Sequence, residues 1–89
     1  MAKASIKVHS TTMRDEMQRD ALQCALLAVN MYDGGTDISN YMKQEFERKH
    51  GRTWHCIVGN TEGYIVGSKD DFYIDFSVGK REIVLFHTA

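Results

Sequence analysis

The hydrophobic pattern of this chain changes period near Thr53, and this change restricts the fold more than any other feature. Between Met13 and Gly51 the apolar residues recur with the 3.6-residue period of amphipathic helices. After Thr53 they alternate, or form short β-branched and aromatic runs separated by glycine-containing turns, as is typical of strands. Helices followed by several strands predict an α+β domain with an antiparallel sheet.

Residue types that are typical of helix and strand ends predict the bounds of the individual segments. Thr12 is expected to cap the first helix, and Gly34-Gly35 to end it. The predicted elements are a strand at 5–9, a helix at 13–32, a second helix from a cap at Thr36 or Asp37 to Gly51, and strands at 54–58, 64–66, 72–78 and 82–87. This order, β-α-α-β-β-β-β, places two helices on an antiparallel sheet within one domain spanning residues 1–89.

The strands indicate that both faces of the sheet are covered. In the strand at 72–78, one face carries Phe72, Ile74, Phe76 and Val78, which we expect beneath the helices, and the other carries Tyr73, Asp75 and Ser77. The strands at 54–58 and 82–87 are apolar on both faces. Since 89 residues make only a small core, a second copy of the chain is the simplest cover, which predicts a homodimer.

Charge and cysteine usage exclude several classes of partner. Eleven basic against twelve acidic residues give no basic excess for nucleic acid, and no apolar run reaches the length of about 20 residues that spans a membrane. The residues at 1–5 lack the apolar region of a signal peptide. We therefore expect a cytoplasmic protein in which Cys24 and Cys56 are free thiols, without nucleic-acid or membrane partners.

Candidate catalytic and metal-binding groups are few. His55 and Cys56 are adjacent, but neighbours in a strand point to opposite faces and cannot form a thiol–imidazole pair. The glycines near 59–63 and 67 lack the Gly-Lys-Ser/Thr core of a phosphate loop. We expect no catalytic residue, no metal and no cofactor. A small thiol enzyme that uses Cys56 remains the alternative from another functional class.

One segment resembles a known family. The residues at 45–46 followed by Thr53-Trp54-His55-Cys56-Ile57-Val58-Gly59 closely resemble the eight-kilodalton dynein light chains. Further matching positions are Met13, Glu16, Met17, Gln18, Asp20, Cys24, Ala25, Tyr32, Asp37, Ile38, Phe76, Gly79, Ile83, Leu85 and Phe86. The match keeps its register from about Met13 to the last residues, and it indicates a divergent member of this family.

The resemblance implies a non-catalytic, homodimeric hub of a dynein motor. In this family one strand crosses to the partner copy, and residues 62–68 match that strand. An extended segment of a partner protein, such as the dynein intermediate chain, adds to the free edge of this strand beside the second helix. The added segment gains main-chain hydrogen bonds and side-chain pockets. Bivalent partners would thereby be held together at microtubules. The open alternative is a regulator or inhibitor of another cytosolic protein, independent of the motor.

The resemblance also assigns residues to sites. The groove residues that it implies are Thr36, Asp37, Glu62, Gly63, Tyr64, Ile65, Val66, Gly67, Ser68, Tyr73, Asp75 and Ser77. The dimer-interface residues that it implies are His55, Ile57, Tyr64, Ile65 and Val66. Protonation of a histidine in such an interface is expected to favour the monomer. Asp75 and Ser77 stand where the family carries large aromatic rings, so the resemblance leaves the preferred ligand open.

Overall fold

Two helices pack on one face of an antiparallel sheet in the computed structural model, which describes residues 5–51, 53–59 and 73–88. The elements are β1 (Ile6–Thr11), α1 (Asp15–Met31), α2 (Gly35–His50), β2 (Thr53–Val58), β3 (Tyr73–Val78) and β4 (Arg81–Thr88). The predicted fold class, two helices on an antiparallel sheet, is confirmed. The predicted strand at 64–66 lies outside the described residues.

The helix α1 begins two residues later than the sequence predicts. Its N-cap is Arg14, which makes no side-chain capping bond, so the expected cap at Thr12 is wrong. Thr12 is instead hydrogen-bonded to β3. Its backbone N–H donates to the Tyr73 carbonyl (3.0 Å), and its hydroxyl accepts from the Tyr73 N–H (3.1 Å). The strand β1 therefore runs two residues beyond its predicted end, to Thr11.

The two glycines between the helices belong to the second helix rather than to the end of the first. The helix α1 ends at Met31, and its C-cap Tyr32 donates its N–H to the Ala28 carbonyl (2.9 Å). Gly34 is the N-cap of α2 and Gly35 is its first residue. A Cβ at Gly35 would lie 3.5 Å from both Cγ1 and the carbonyl oxygen of Val58. The helix α2 therefore starts directly against β2, at a distance where a Cβ would make an ordinary van der Waals contact.

The apolar side chains that recur at helical spacing along the second helix face the core. Ile38, Met42 and Phe46 are fully buried beneath it. Gly51 ends the helix with a φ of 66°, the left-handed conformation that glycine adopts without steric penalty. On the surface of this helix, the Glu45 carboxylate accepts a hydrogen bond from Arg48 at 2.6 Å.

The sheet has the order β1-β3-β4-β2 within the described residues, and each neighbouring pair is antiparallel. Ile74, Phe76 and Val78 of β3 are buried beneath the helices, as predicted. In the register, Ile74 pairs with Leu85 and Phe76 with Ile83, so β4 contributes alternate residues to the same core.

A tryptophan joins the helices to the sheet. The indole of Trp54 is fully buried, meets Phe46 edge-on at 4.8 Å and meets His87 at 4.9 Å between ring centroids. Its Nε1–H donates to the Gly51 carbonyl at 2.8 Å. This contact fixes the turn from α2 into β2 and thereby the position of the sheet edge that β2 forms.

Candidate functional site

The face of the sheet away from the helices carries the polar residues that the sequence places opposite the core. Tyr73, Asp75 and Ser77 alternate with the buried side chains of β3 and are themselves half-buried. Because successive strand residues point to opposite faces, these three lie on the surface that the helices leave uncovered. Both helices pack against the other side, where the hydrophobic core lies.

The register extends this surface across β4 and β2. Tyr73 pairs with Phe86, Asp75 with Val84 and Ser77 with Glu82, while β2 pairs His55 with Phe86 and Ile57 with Val84. The apolar members of this set do not belong to the core cluster beneath the helices. We call this surface the back face; its residues are His55, Ile57, Tyr73, Asp75, Ser77, Glu82, Val84 and Phe86.

The back face unites two groups of residues that the resemblance assigns separately. His55 and Ile57, expected at the dimer interface, lie on β2, while Tyr73, Asp75 and Ser77, expected in the groove, lie on β3. The strand β4 between them carries Val84 and Phe86 on the same side. The remaining expected groove and interface residues, 62–68, lie outside the described residues. The described strand residues of both predicted sets therefore lie on one surface.

His55 sits on the outer part of the back face. Its ring lies over Phe86 at 5.3 Å between centroids, with an interplanar angle of 32°. The nearby Glu47 carboxylate accepts from Lys43 Nζ at 2.6 Å and from the Trp54 backbone N–H at 3.2 Å. These two hydrogen bonds, with a smaller contribution from His55, lower the pKa of Glu47. Glu47 thus links α2 to the start of β2.

The strand β2 forms one edge of the sheet within the described residues. The Gly59 N–H donates to the Glu82 carbonyl at 2.9 Å, so the odd-numbered residues of β2 direct their backbone groups toward β4. The backbone groups of Trp54, Cys56 and Val58 consequently point to the outer edge. The Trp54 N–H is bonded to Glu47, which leaves the Cys56 and Val58 amides as the donors that an added strand would meet.

The start of α2 lies beside this edge. Gly35 packs against Val58, and no side-chain hydrogen bond from Gly34 caps the helix. The predicted cap at Thr36 or Asp37 is therefore wrong: these two exposed residues are the second and third of the helix. The Thr36 carbonyl accepts from the Ser39 hydroxyl at 2.9 Å. They nevertheless stay next to the end of β2, where the resemblance places a groove.

The hydrogen bonding and burial of the Asp75 carboxylate on this surface cannot be predicted from the sequence. Its Oδ1 has no accessible surface and no hydrogen-bond partner. The neighbouring hydroxyls are engaged with each other, since Ser10 Oγ and the Tyr73 phenol lie 2.5 Å apart. The sequence signal is the presence of an aspartate inside a strand, where this residue type is depleted.

The cysteines have the properties of buried structural residues. Burial raises the pKa of Cys24 to about 11 and that of Cys56 to about 12. Cys56 Sγ lies 3.9 Å from Met42 Sδ, on the core side of β2. Such thiols carry little thiolate at neutral pH. Within the described residues no group of three or more metal-binding side chains is found, and no helix is long and apolar enough to cross a bilayer.

Comparison with known proteins identifies the same architecture. A model of the dynein light chain type 1 family matches residues 5–88. The dynein light chain-like domain of the Fasciola hepatica calcium binding protein FhCaBP2 matches with a TM-score of 0.86 at 22% identity, over 97% of this chain and 93% of that one. The DLC-like domain of CsTAL3 gives 0.78 at 16% identity, over 93% and 92%. At these identities the two structures share the fold with this chain.

Proposed function

Because this chain belongs to the dynein light chain type 1 family, we propose that it is a non-catalytic homodimeric hub that binds extended segments of partner proteins by strand addition. The observation that carries the proposal is the back face, an apolar surface that lies opposite the helices and reaches the sheet edge formed by β2.

The composition of the back face supports the homodimer. Ile57, Val84 and Phe86 form a continuous apolar strip across β2 and β4, with His55 and Tyr73 beside it. An antiparallel sheet with helices on one face commonly exposes polar residues on the other. An apolar strip there is better explained by a second sheet packed on it, and a symmetric pair covers both strips at once.

The edge of β2 supports strand addition. The outward amides of Cys56 and Val58 are donors for the strand at 62–68 that crosses from the partner copy, while Glu47 bonds to the Trp54 N–H at the start of this edge. The bound segment then adds to the free edge of that crossing strand. The first turn of α2 lies beside Val58 and adds backbone N–H donors without a side-chain cap. A glutamine of the incoming segment, as the family favours, would accept from these N–H groups.

The proposed partners follow from the family. We assign the dynein intermediate chain and other proteins with short extended segments, and a cytoplasmic location at the microtubule-associated motor. A dimer with two grooves would hold two copies of a partner at high effective concentration. A motor-independent regulator would use the same grooves, and the identity of captured proteins separates the two roles.

Pull-down with the purified dimer, competed by a short groove peptide, tests the proposal. The competitor is a ten-residue peptide with a central glutamine, prepared in two forms that carry N-methyl groups on alternate amides. One form loses the N–H groups that face the sheet, and the other loses those that face away. We expect the unmodified peptide and one methylated form to displace the captured proteins, and the other form to fail. Equal competition by both methylated forms would contradict strand addition.

A further inference from the structure

We propose that the outer side of α1, near the C-terminal end of this helix, binds the same surface of a second copy of the chain. We call this surface the α1 patch; its residues are Gln23, Leu27, Asn30, Met31 and Tyr32. The helices lie on the side of the sheet opposite the back face. The inference therefore goes beyond the proposed function and does not depend on it.

Apolar side chains are unusually exposed on the α1 patch. Leu27 is 47% exposed, Met31 51% and Tyr32 37%. Among the described residues, the other exposed large apolar side chains are Ile6 and Val8 of β1. A single exposed leucine needs no explanation, but three such side chains between positions 27 and 32 form a cluster, and clusters of this kind mark contact surfaces.

Two contacts with α2 show where the α1 patch lies. Asp20 is 3.1 Å from His50, and the ring of Tyr32 is 6.0 Å from that of Tyr41. The leucine and the methionine of the patch follow Asp20 by seven and eleven residues, about two and three helical turns, so they lie on the same side of α1. The patch therefore follows the outer edge of the seam between the two helices.

The α1 patch carries no charge. Residues 21–32 include no acidic or basic side chain, and the exposed polar residues among them are Gln23 and Asn30. On α2, the Glu45 carboxylate and the Arg48 guanidinium near Tyr41 are hydrogen-bonded to each other at 2.6 Å. A surface helix usually carries charged residues on its outer face. The second half of α1 departs from that rule.

A neutral patch suits a second copy of the same chain. In a two-fold contact each surface meets itself, so a charged patch would bring like charges together, whereas a neutral patch does not. The side-chain amides of Gln23 and Asn30 both donate and accept, so identical residues can hydrogen-bond across the axis. Met31 adapts its flexible side chain to such a contact. A partner selected by its charge would find no complementary group here.

The size of the α1 patch predicts a weak, reversible association. A standard interface buries about 800 Å² on each side, with about 20–30 residues, which is much more than this patch provides. We expect a dissociation constant on the order of 0.1–1 mM. Each chain carries one α1 patch and one back face. If the proposed dimer forms through the back face, the second contact links dimers to one another.

Sedimentation velocity at concentrations up to about 1 mM measures this association. His55→Lys serves as the background, because it weakens the contact through the back face and leaves the α1 patch unchanged. In that background Leu27→Lys brings two like charges together and should weaken the association at least tenfold. Asn40→Lys, which adds the same charge at an exposed position of α2, is the matched control and should have no effect. Circular dichroism verifies that the variants are folded.

Cysteine substitution detects the contact directly. Burial raises the pKa values of Cys24 and Cys56 to about 11 and about 12, so an introduced surface thiol is the one that oxidises. We expect Leu27→Cys to form an interchain disulfide at least tenfold faster than Asn40→Cys under mild oxidation. Equal rates at the two positions would overturn the inference.

The remaining outcomes also decide. A sedimentation coefficient that does not rise with concentration, or that rises equally in Leu27→Lys, overturns the inference. If the chains stay apart and Leu27→Lys instead reduces the capture of another protein, the α1 patch binds a different partner and the inference is wrong. Failure of glutamine-containing peptides to bind contradicts the proposed function alone and leaves the α1 patch contact standing.

Discussion

Replacement of His55 by lysine is expected to dissociate the homodimer. The side chain lies on β2 within the back face, with its ring over Phe86 at 5.3 Å. A permanent positive charge at this place would be pressed against the apolar face of the second copy. Glu47 already accepts from Lys43 and from the Trp54 N–H, which lowers its attraction for a further cation.

The size of the effect follows from the symmetry. Each copy contributes one lysine, so the interface receives two charges on an apolar surface. A buried ion loses several kcal/mol, but lysine extends toward water, so about 1.5 kcal/mol for each copy is reasonable. The total of about 3 kcal/mol weakens the dimer constant by a factor of about 150.

Sedimentation equilibrium at neutral pH measures this constant directly. His9→Lys is the matched control, because His9 is exposed on β1 at the opposite edge of the sheet, and it should leave the constant unchanged. His55→Gln, which cannot gain a proton, should keep the dimer at pH 5 as at pH 7. The unmodified chain should dissociate on acidification, as the resemblance of His55 to the family's interface histidine implies. An unchanged dimer constant in His55→Lys would refute the reasoning.

Four further predictions concern single residues. Trp54→Ala should lower the free energy of unfolding by about 3–5 kcal/mol, a large part of the roughly 4–13 kcal/mol of a chain this size, as measured by urea titration with far-UV circular dichroism. Gly51→Ala should lower it by about 1 kcal/mol because of the positive φ, seen as a reduced Tm; an unchanged Tm would contradict the strain. Cys24 and Cys56 in the native protein should react with iodoacetamide at pH 8 about a hundredfold more slowly than after unfolding, and fast alkylation would instead favour a thiol enzyme. Asp75→Thr should raise stability by about 1 kcal/mol, since the oxygen without a donor is removed, and a loss of stability would show that the carboxylate is satisfied in the fold.

The sequence predicts those parts of the fold that depend on local periodicity. The alternation of Ile74, Phe76 and Val78 with polar residues identifies the buried face of β3, and the helical spacing of Ile38 and Met42 identifies that of α2. Gly51 is a correct stop signal because the left-handed conformation is a local requirement. These features can be predicted without knowing which helices and strands pack together.

The errors arise where tertiary contacts override a local preference. Thr12 has the side chain of a helix cap, but the ladder with Tyr73 takes both its amide and its hydroxyl. Gly35 ends no helix, because it is the first residue of α2, where it packs against Val58. A capping preference is worth about 1 kcal/mol and yields to such contacts.

In the candidate site, too, some features can be predicted from the sequence and others depend on tertiary contacts. The resemblance supplies its residues, but their arrangement depends on strand register, which brings Asp75 opposite Val84 and Val84 opposite Ile57. The hydroxyl pair beside Asp75 joins Ser10 and Tyr73, residues separated by 63 positions in the chain. No local pattern in the sequence contains this information.

The stoichiometry of the peptide complex tests the central claim most directly. Native mass spectrometry of the chain, titrated with a ten-residue glutamine-containing peptide, measures the number of chains and of bound segments in one spectrum. The account predicts two chains with two segments at saturation, and loss of both the second chain and the segments in His55→Lys. A single chain that binds one segment, or a dimer that binds none, would contradict a homodimeric hub with two grooves.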